Sequence, residues 1–192
     1  ERSGTPRQRT VGEVLQVLPF SAAPLFDTQL FVYRRSVTEG EMDYTNRFMM
    51  PPADLVAGVT RTWLADSGLF ANVAGPVGPT PARYRLHGHV NAIYGDTGGR
   101  GSVAVVDVQF VVIDAEASGE GVIFNQTYRH RESVRDGSTQ GLVEAWNTGL
   151  EAILDKLEQD LAGKLFDNVK ARTDSANVRH ALAARVGKMT DG

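Results

Sequence analysis

The sequence contains no cysteine, so thiol nucleophiles, disulfides, and Cys-based zinc and iron–sulfur sites are all excluded. The redox compartment stays open, because a Cys-free chain survives in either. No apolar run approaches the ~20 residues that span a bilayer as a helix. Charge of one sign is also missing: 20 Lys and Arg stand against 23 Asp and Glu, for a net −3. The basic stripe of a duplex-binding domain is absent, and nucleic-acid binding is disfavoured. With only four histidines, sites built from imidazoles alone are scarce. No Gly-x-Ser-x-Gly elbow and no Ser-x-x-Lys pair occurs, so no serine has an evident base.

What remains is ordinary globular material, 192 residues at 42% hydrophobic, enough for one domain with a real core. Residues 1–10 are polar and read as a flexible tether. Residues 11–166 read as a single α/β domain. Val11 to Leu18 forms a first strand, and Leu30 to Arg35 with Met42 to Phe48 a hairpin about Thr38-Glu39-Gly40-Glu41. Pro51-Pro52 opens a helix carrying Leu55, Val56, Val59, Trp63 and Leu64, which Gly68 stops. Three strands follow in an antiparallel meander. Alternation places Leu86, Gly88, Val90, Ala92 and Tyr94 on one face of the first. Ala104, Val106, Val108, Phe110 and Val112 share a face of the second, and Val122, Phe124 and Tyr128 mark the third. Leu142, Val143, Trp146, Leu150, Ile153, Leu154, Leu157, Leu161 and Leu165 recur every three or four residues, giving a long amphipathic helix to Phe166. Ser138 or Thr139 caps it, and Gly149 and Gly163 are its weak points. Residues 167–192 form a polar tail, in which Val178, Leu182, Val186 and Met189 are spaced for a short amphipathic helix. The fold expected is α+β: a mostly antiparallel sheet with two amphipathic helices packed on one face.

Chemistry is thin. His87 and His89 share a strand face, and core parity places Asp107 across from His89, two imidazoles and a carboxylate where zinc typically takes three or four ligands. The plainer reading makes them solvent-side residues beside Arg85, Asn91 and Gln109. His130-Arg131-Glu132 echoes the His-x-Glu of zinc deaminases without their Cys ligands. Gly98-Gly99-Arg100-Gly101 joins two strands and lacks the Lys-Ser/Thr of a phosphate loop. No metal, cofactor or catalytic residue is expected. Apolar groups concentrate in Phe20, Leu25, Phe26, Leu30 and Phe31, either plugging the sheet edge or forming a surface for a partner or lipid.

Several short signatures, in order over residues 11–166, resemble the ABC-type transport auxiliary lipoproteins of Gram-negative bacteria. They are Leu18-Pro19-Phe20, Leu30-Phe31-Val32-Tyr33-Arg34, Asp43-Tyr44, Arg47-Phe48 and the Pro51-Pro52 helix start. Trp63-Leu64-Ala65-Asp66-Ser67-Gly68-Leu69-Phe70-Ala71-Asn72-Val73, then Leu86 and Gly88, continue the match to the last helix. The resemblance implies a non-enzymatic accessory of lipid-transport systems that carry MCE-domain proteins, with a fold like the N-terminal domain of TolB. It implies a periplasmic chain held at a membrane, the outer one, by a lipidated Cys lost from this sequence. Partners would be ABC/MCE transporter components and membrane lipid, with homo-oligomers suiting a conduit. Tyr33, Arg34, Trp63 and Phe70 are motif positions with a structural role. A lipid carrier with an internal apolar cavity and a metal enzyme at His87, His89 and Asp107 are the rival functions.

Overall fold

The computed structural model describes residues 11–189, apart from 37, 79–80, 100 and 118–120, with side chains described as far as Thr173. The expected tether at residues 1–10 lies outside the described residues, as do residues 190–192. The elements in order are β1 (Val14–Val17), β2 (Ser21–Ala22), β3 (Leu30–Arg34), β4 (Gly40–Arg47), α1 (Pro52–Asp66), β5 (Asn72–Ala74), β6 (Tyr84–Asp96), β7 (Val103–Asp114), β8 (Val122–Ser133) and α2 (Thr139–Met189).

β6 organises the sheet. Its 13 residues pair antiparallel with β7 along their length, and β7 pairs antiparallel with β8. The opposite edge of β6 takes three short strands in series, all parallel: Leu15 lies beside Tyr84, Ser21 beside His89, and Tyr33 beside Gly95. β4 closes on β3 antiparallel, and β5 on β1 parallel. The meander is as the alternation predicts. The parallel rank is not signalled by it, because strands of two to five residues are too short to show a period.

Helix α1 starts with proline where no intrahelical acceptor is lost, and ends as Ser67 N donates to Trp63 O and Gly68 turns to φ +68°. The Ser138 hydroxyl caps α2 by accepting from Gly141 N at 2.9 Å. α2 buries Leu142, Trp146, Ile153, Leu154, Leu157, Leu161 and Leu165 against the meander. Each such burial contributes roughly 1.5–3 kcal/mol. Neither Gly149 nor Gly163 breaks it, and the polar segment from 167 continues the same helix to Met189. Gly149 has a use: a Cβ there would press on the His130 ring at 3.2 Å, so its absence lets α2 lie close over β8. The two helices meet where Trp63 Nε1 donates to Glu158 Oε2 at 3.1 Å.

Two β-bulges correct the strand faces expected from strict alternation. At Asn91 one extra residue enters β6, so Ile93 joins the main core while Ala92 and Tyr94 turn to the opposite face. A register shift between Val112 and Ile113 leaves Val122 exposed instead of facing inward with Phe124 and Tyr128.

The tyrosines on the covered side resist ionisation. Burial raises the Tyr128 hydroxyl above its ordinary value, and its 2.7 Å hydrogen bond to Asp160 adds to the shift. Burial likewise raises Tyr33 and Tyr84, against opposing interactions from Thr139 and Arg83 respectively. Protonated phenols are favoured in the folded chain, so their contribution is complete below pH ~10 and is lost as pH climbs through the raised folded values. In a titration followed at 295 nm, these tyrosines are expected to ionise together with loss of circular dichroism. Reversible ionisation near pH 10 of every tyrosine in a still-folded chain would contradict this.

Candidate functional site

The helices cover one face of the sheet, and the other carries a smaller cluster. Val32, Tyr94 and Val105 are buried there, with Phe26, Ala92 and Val103 packed against them. Phe26 stacks on Tyr94 with centroids 6.1 Å apart, and Arg34 lies over the same ring at 4.8 Å. Arg129 Nη2 donates to the Tyr94 hydroxyl at 3.2 Å. Below the ring, Asp96 accepts from Arg34 at 2.6 Å and from Arg131 at 3.0 Å. Burial pushes the Asp96 carboxyl up, and those hydrogen bonds more than offset it, holding it below the ordinary carboxylate range. Its hydrogen bond to Arg34 in turn raises the guanidinium. Two arginines on one carboxylate leave this group net positive, and the hydrogen bonds between them fix the side chains of this face.

The apolar segment expected as a contact surface divides. Phe20 and Phe31 are core residues, 7% and 4% exposed, and their assignment to an exposed surface is corrected. Phe20 turns inward because β6 offers Gly88 opposite it and Phe110 beside it, edge to face at 6.0 Å. Phe31 packs on Trp146 at 4.9 Å and Phe48 at 4.5 Å. Phe26 and Leu30 are half-buried, and Leu25 is 48% exposed. The loop after β4 adds Met49 at 95% and Met50 at 43% exposure. Phe48 N donates to Gln29 O at 2.7 Å, so the two loops adjoin. Sequence reasoning passed over Met49 and Met50, although the adjacent methionines before Pro51 were the visible signal.

The histidine-bearing strand assembles no ligand set. His87 is exposed opposite Val111, and the His89 ring pairs with Ser21 Oγ at 2.7 Å. His89 faces Gln109, two residues off the expected register, and Asp107 lies opposite Ala92 beyond the bulge at Asn91. The Asp107 carboxylate accepts from Asn91 at 2.9 Å and stands 3.8 Å from Arg129. His130 Nε2 lies 3.1 Å from Glu132. Among the described residues no group of three or more His, Asp or Glu is placed to hold a metal ion.

The motif positions each find an internal partner. Tyr33 packs beneath Gly95 and Leu142, Arg34 holds Asp96, Trp63 bonds Glu158, and Phe70 lies edge-on to Tyr84 at 6.2 Å. Among the described residues, no helix is long and apolar enough to cross a membrane.

The arrangement defines a mixed α+β domain whose uncovered sheet face and adjoining loops are held rigid. The chain belongs to the ABC-type transport auxiliary lipoprotein component family, which matches residues 1–180. It is accordingly an envelope lipoprotein, anchored to a membrane and associated with transport. A crystal structure of a Xanthomonas campestris protein is similar at TM-score 0.76 and 19% identity, covering 86% of this chain and 94% of that one. A second, of an uncharacterized protein, has TM-score 0.66 and 11% identity, with 82% and 96% covered. A minor lipoprotein from Acinetobacter baumannii has TM-score 0.46 and 9% identity, with 80% and 94% covered. No curated protein matches the chain in sequence. The matching family is described by a transport role and not by an enzymatic one.

Proposed function

We propose that this chain is a non-enzymatic auxiliary component of an ABC/MCE-type system that moves phospholipid or a similar amphiphile. It works from the periplasmic side of the outer membrane of a Gram-negative bacterium, by docking the transporter's periplasmic parts. The observation that carries this reading is the family match across residues 1–180. The adjoining loops of Leu25, Phe26 and Leu30 with Met49 and Met50 supply an apolar contact, since exposed apolar groups at one place favour association. Copies of the chain self-associate around the transported lipid's route.

Co-purification tests this. Leu25→Asp combined with Met49→Asp is expected to reduce recovery of the MCE component at least tenfold, with thermal unfolding unchanged. Undiminished recovery would overturn the contact. The rival reading, a carrier with an internal apolar cavity, finds little room: Val108, Phe110, Leu154, Leu157 and Leu161 fill the space between meander and helix. Stoichiometric lipid in mass spectra of the purified chain would favour the carrier.

A further inference from the structure

Helix α2 outruns the sheet it covers. Its 51 residues extend about 76 Å, whereas the 13 residues of β6 extend about 43 Å. Its course can be followed against β6. Trp146 Nε1 donates to Tyr94 O at 3.2 Å near one end, and Asp160 meets Tyr128 midway. Arg172 stands close enough to Tyr84, the first residue of β6, for its charge to oppose slightly the rise that burial gives the hydroxyl's pKa. The helix therefore leaves the sheet at the Tyr84 end, and the stretch from 174 to Met189 continues about 24 Å further.

The described residues begin at that same end. Val11 N donates to Leu69 O at 2.8 Å, and Leu15 lies beside Tyr84 with β1 running away from it. Val11, the first described residue, and the projecting helix thus lie at one end of the domain.

The composition of the projection is distinctive. Ser175 to Met189 contains Arg179, Arg185 and Lys188 with no Asp or Glu, a net +3. The whole chain is −3, so everything else sums to −6. Within the same stretch Val178, Leu182, Val186 and Met189 repeat at helical spacing. A basic helical segment with an apolar repeat is the composition that lies on anionic lipid surfaces.

We propose that residues 175–189 contact an anionic phospholipid bilayer, the surface to which the chain is tethered. The orientation of that contact rests on the lipoprotein reading, which puts the membrane at the amino-terminal end. The contact itself does not need the tether. Two anchors at one end, a lipid chain and a basic helix, hold a protein where a single acyl chain binds only reversibly. Each Lys or Arg near such a surface is worth roughly fivefold in affinity.

The experiment uses the unlipidated 192-residue chain and vesicles of phosphatidylcholine, alone or with roughly a third phosphatidylglycerol. The chain is expected to float with the anionic vesicles only, and to be released by high salt. The triple variant Arg179→Glu, Arg185→Glu, Lys188→Glu should lose binding at least tenfold, with circular dichroism and melting unchanged because the last described core residue is Leu165. No flotation, equal flotation with neutral vesicles, or an unaffected triple variant overturns the proposal, and so does binding that requires an added protein. Incorporation of labelled palmitate by the cellular protein tests the tether separately, so failure of either reading is distinguishable from failure of the other.

Discussion

Replacing Arg83 by Met is expected to cost about 3–5 kcal/mol of folding stability, the usual penalty for stripping one partner from a buried ion pair. Arg83 and Asp114 have side chains 8% and 3% exposed and meet at 2.8 Å where β6 begins and β7 ends. Arg83 also reaches Glu116 and, at 3.7 Å, Glu13 from the segment before β1. Without the guanidinium, the Asp114 carboxylate keeps the Glu116 N–H at 3.0 Å and little else to offset its burial. Asp114→Ala should cost less, because Glu116 and Glu13 remain to face the cation. Arg83→Met combined with Asp114→Leu should recover most of the loss, since the carboxylates then left without the cation, Glu116 and Glu13, reach solvent and no buried charge is unpaired. Denaturant unfolding decides the matter. A loss below about 1 kcal/mol for Arg83→Met, or a double variant no better than the single, would show that this pair is not a structural tie.

A second large effect lies at the crossing of Phe20 and Gly88. An alanine methyl at Gly88 would sit closer than van der Waals contact to the Phe20 ring, which is packed on Phe110. Gly88→Ala should therefore cost about 1–3 kcal/mol by forcing the ring out of place. Phe20→Ala should cost about 3–5 kcal/mol through lost burial and the cavity it leaves. Made together, the two changes should be less damaging than their sum, because the methyl occupies space the ring has vacated. A coupling of at least about 1 kcal/mol is expected from the double-mutant cycle. Strict additivity would mean that the two positions do not share this space. The same crossing explains why Phe20 is unavailable as a surface residue.

The elements legible in the sequence were those whose period had room to repeat. α1, the three meander strands and the stripe of α2 each extend over enough residues for one face to declare itself. The bulge at Asn91 was not legible, and it cost most at the candidate site. It turns Tyr94 onto the uncovered face, so the cluster around Tyr94 could not be assembled from alternation, and the register that sets His89 opposite Gln109 rather than Asp107 was equally hidden. Phe20 and Phe31 were ambiguous for a different reason: apolar composition is the same for a plug and for a patch, and only the glycine and aromatic partners supplied by distant strands decide. Unbroken continuation of α2 past Phe166 was likewise hidden, because a helix already nucleated by a packed stripe can be propagated through poorer residues.

The rank of β1, β2 and β3 along a single edge of β6 has a consequence for biogenesis. These segments are made first; β1 also pairs with β5 and β3 with β4, but the shared edge that aligns all three lies between Tyr84 and Asp96. Until that strand has emerged, β3 and β4 can close on each other but the three segments have no common edge on which to align, and such long-range closure comes late in folding.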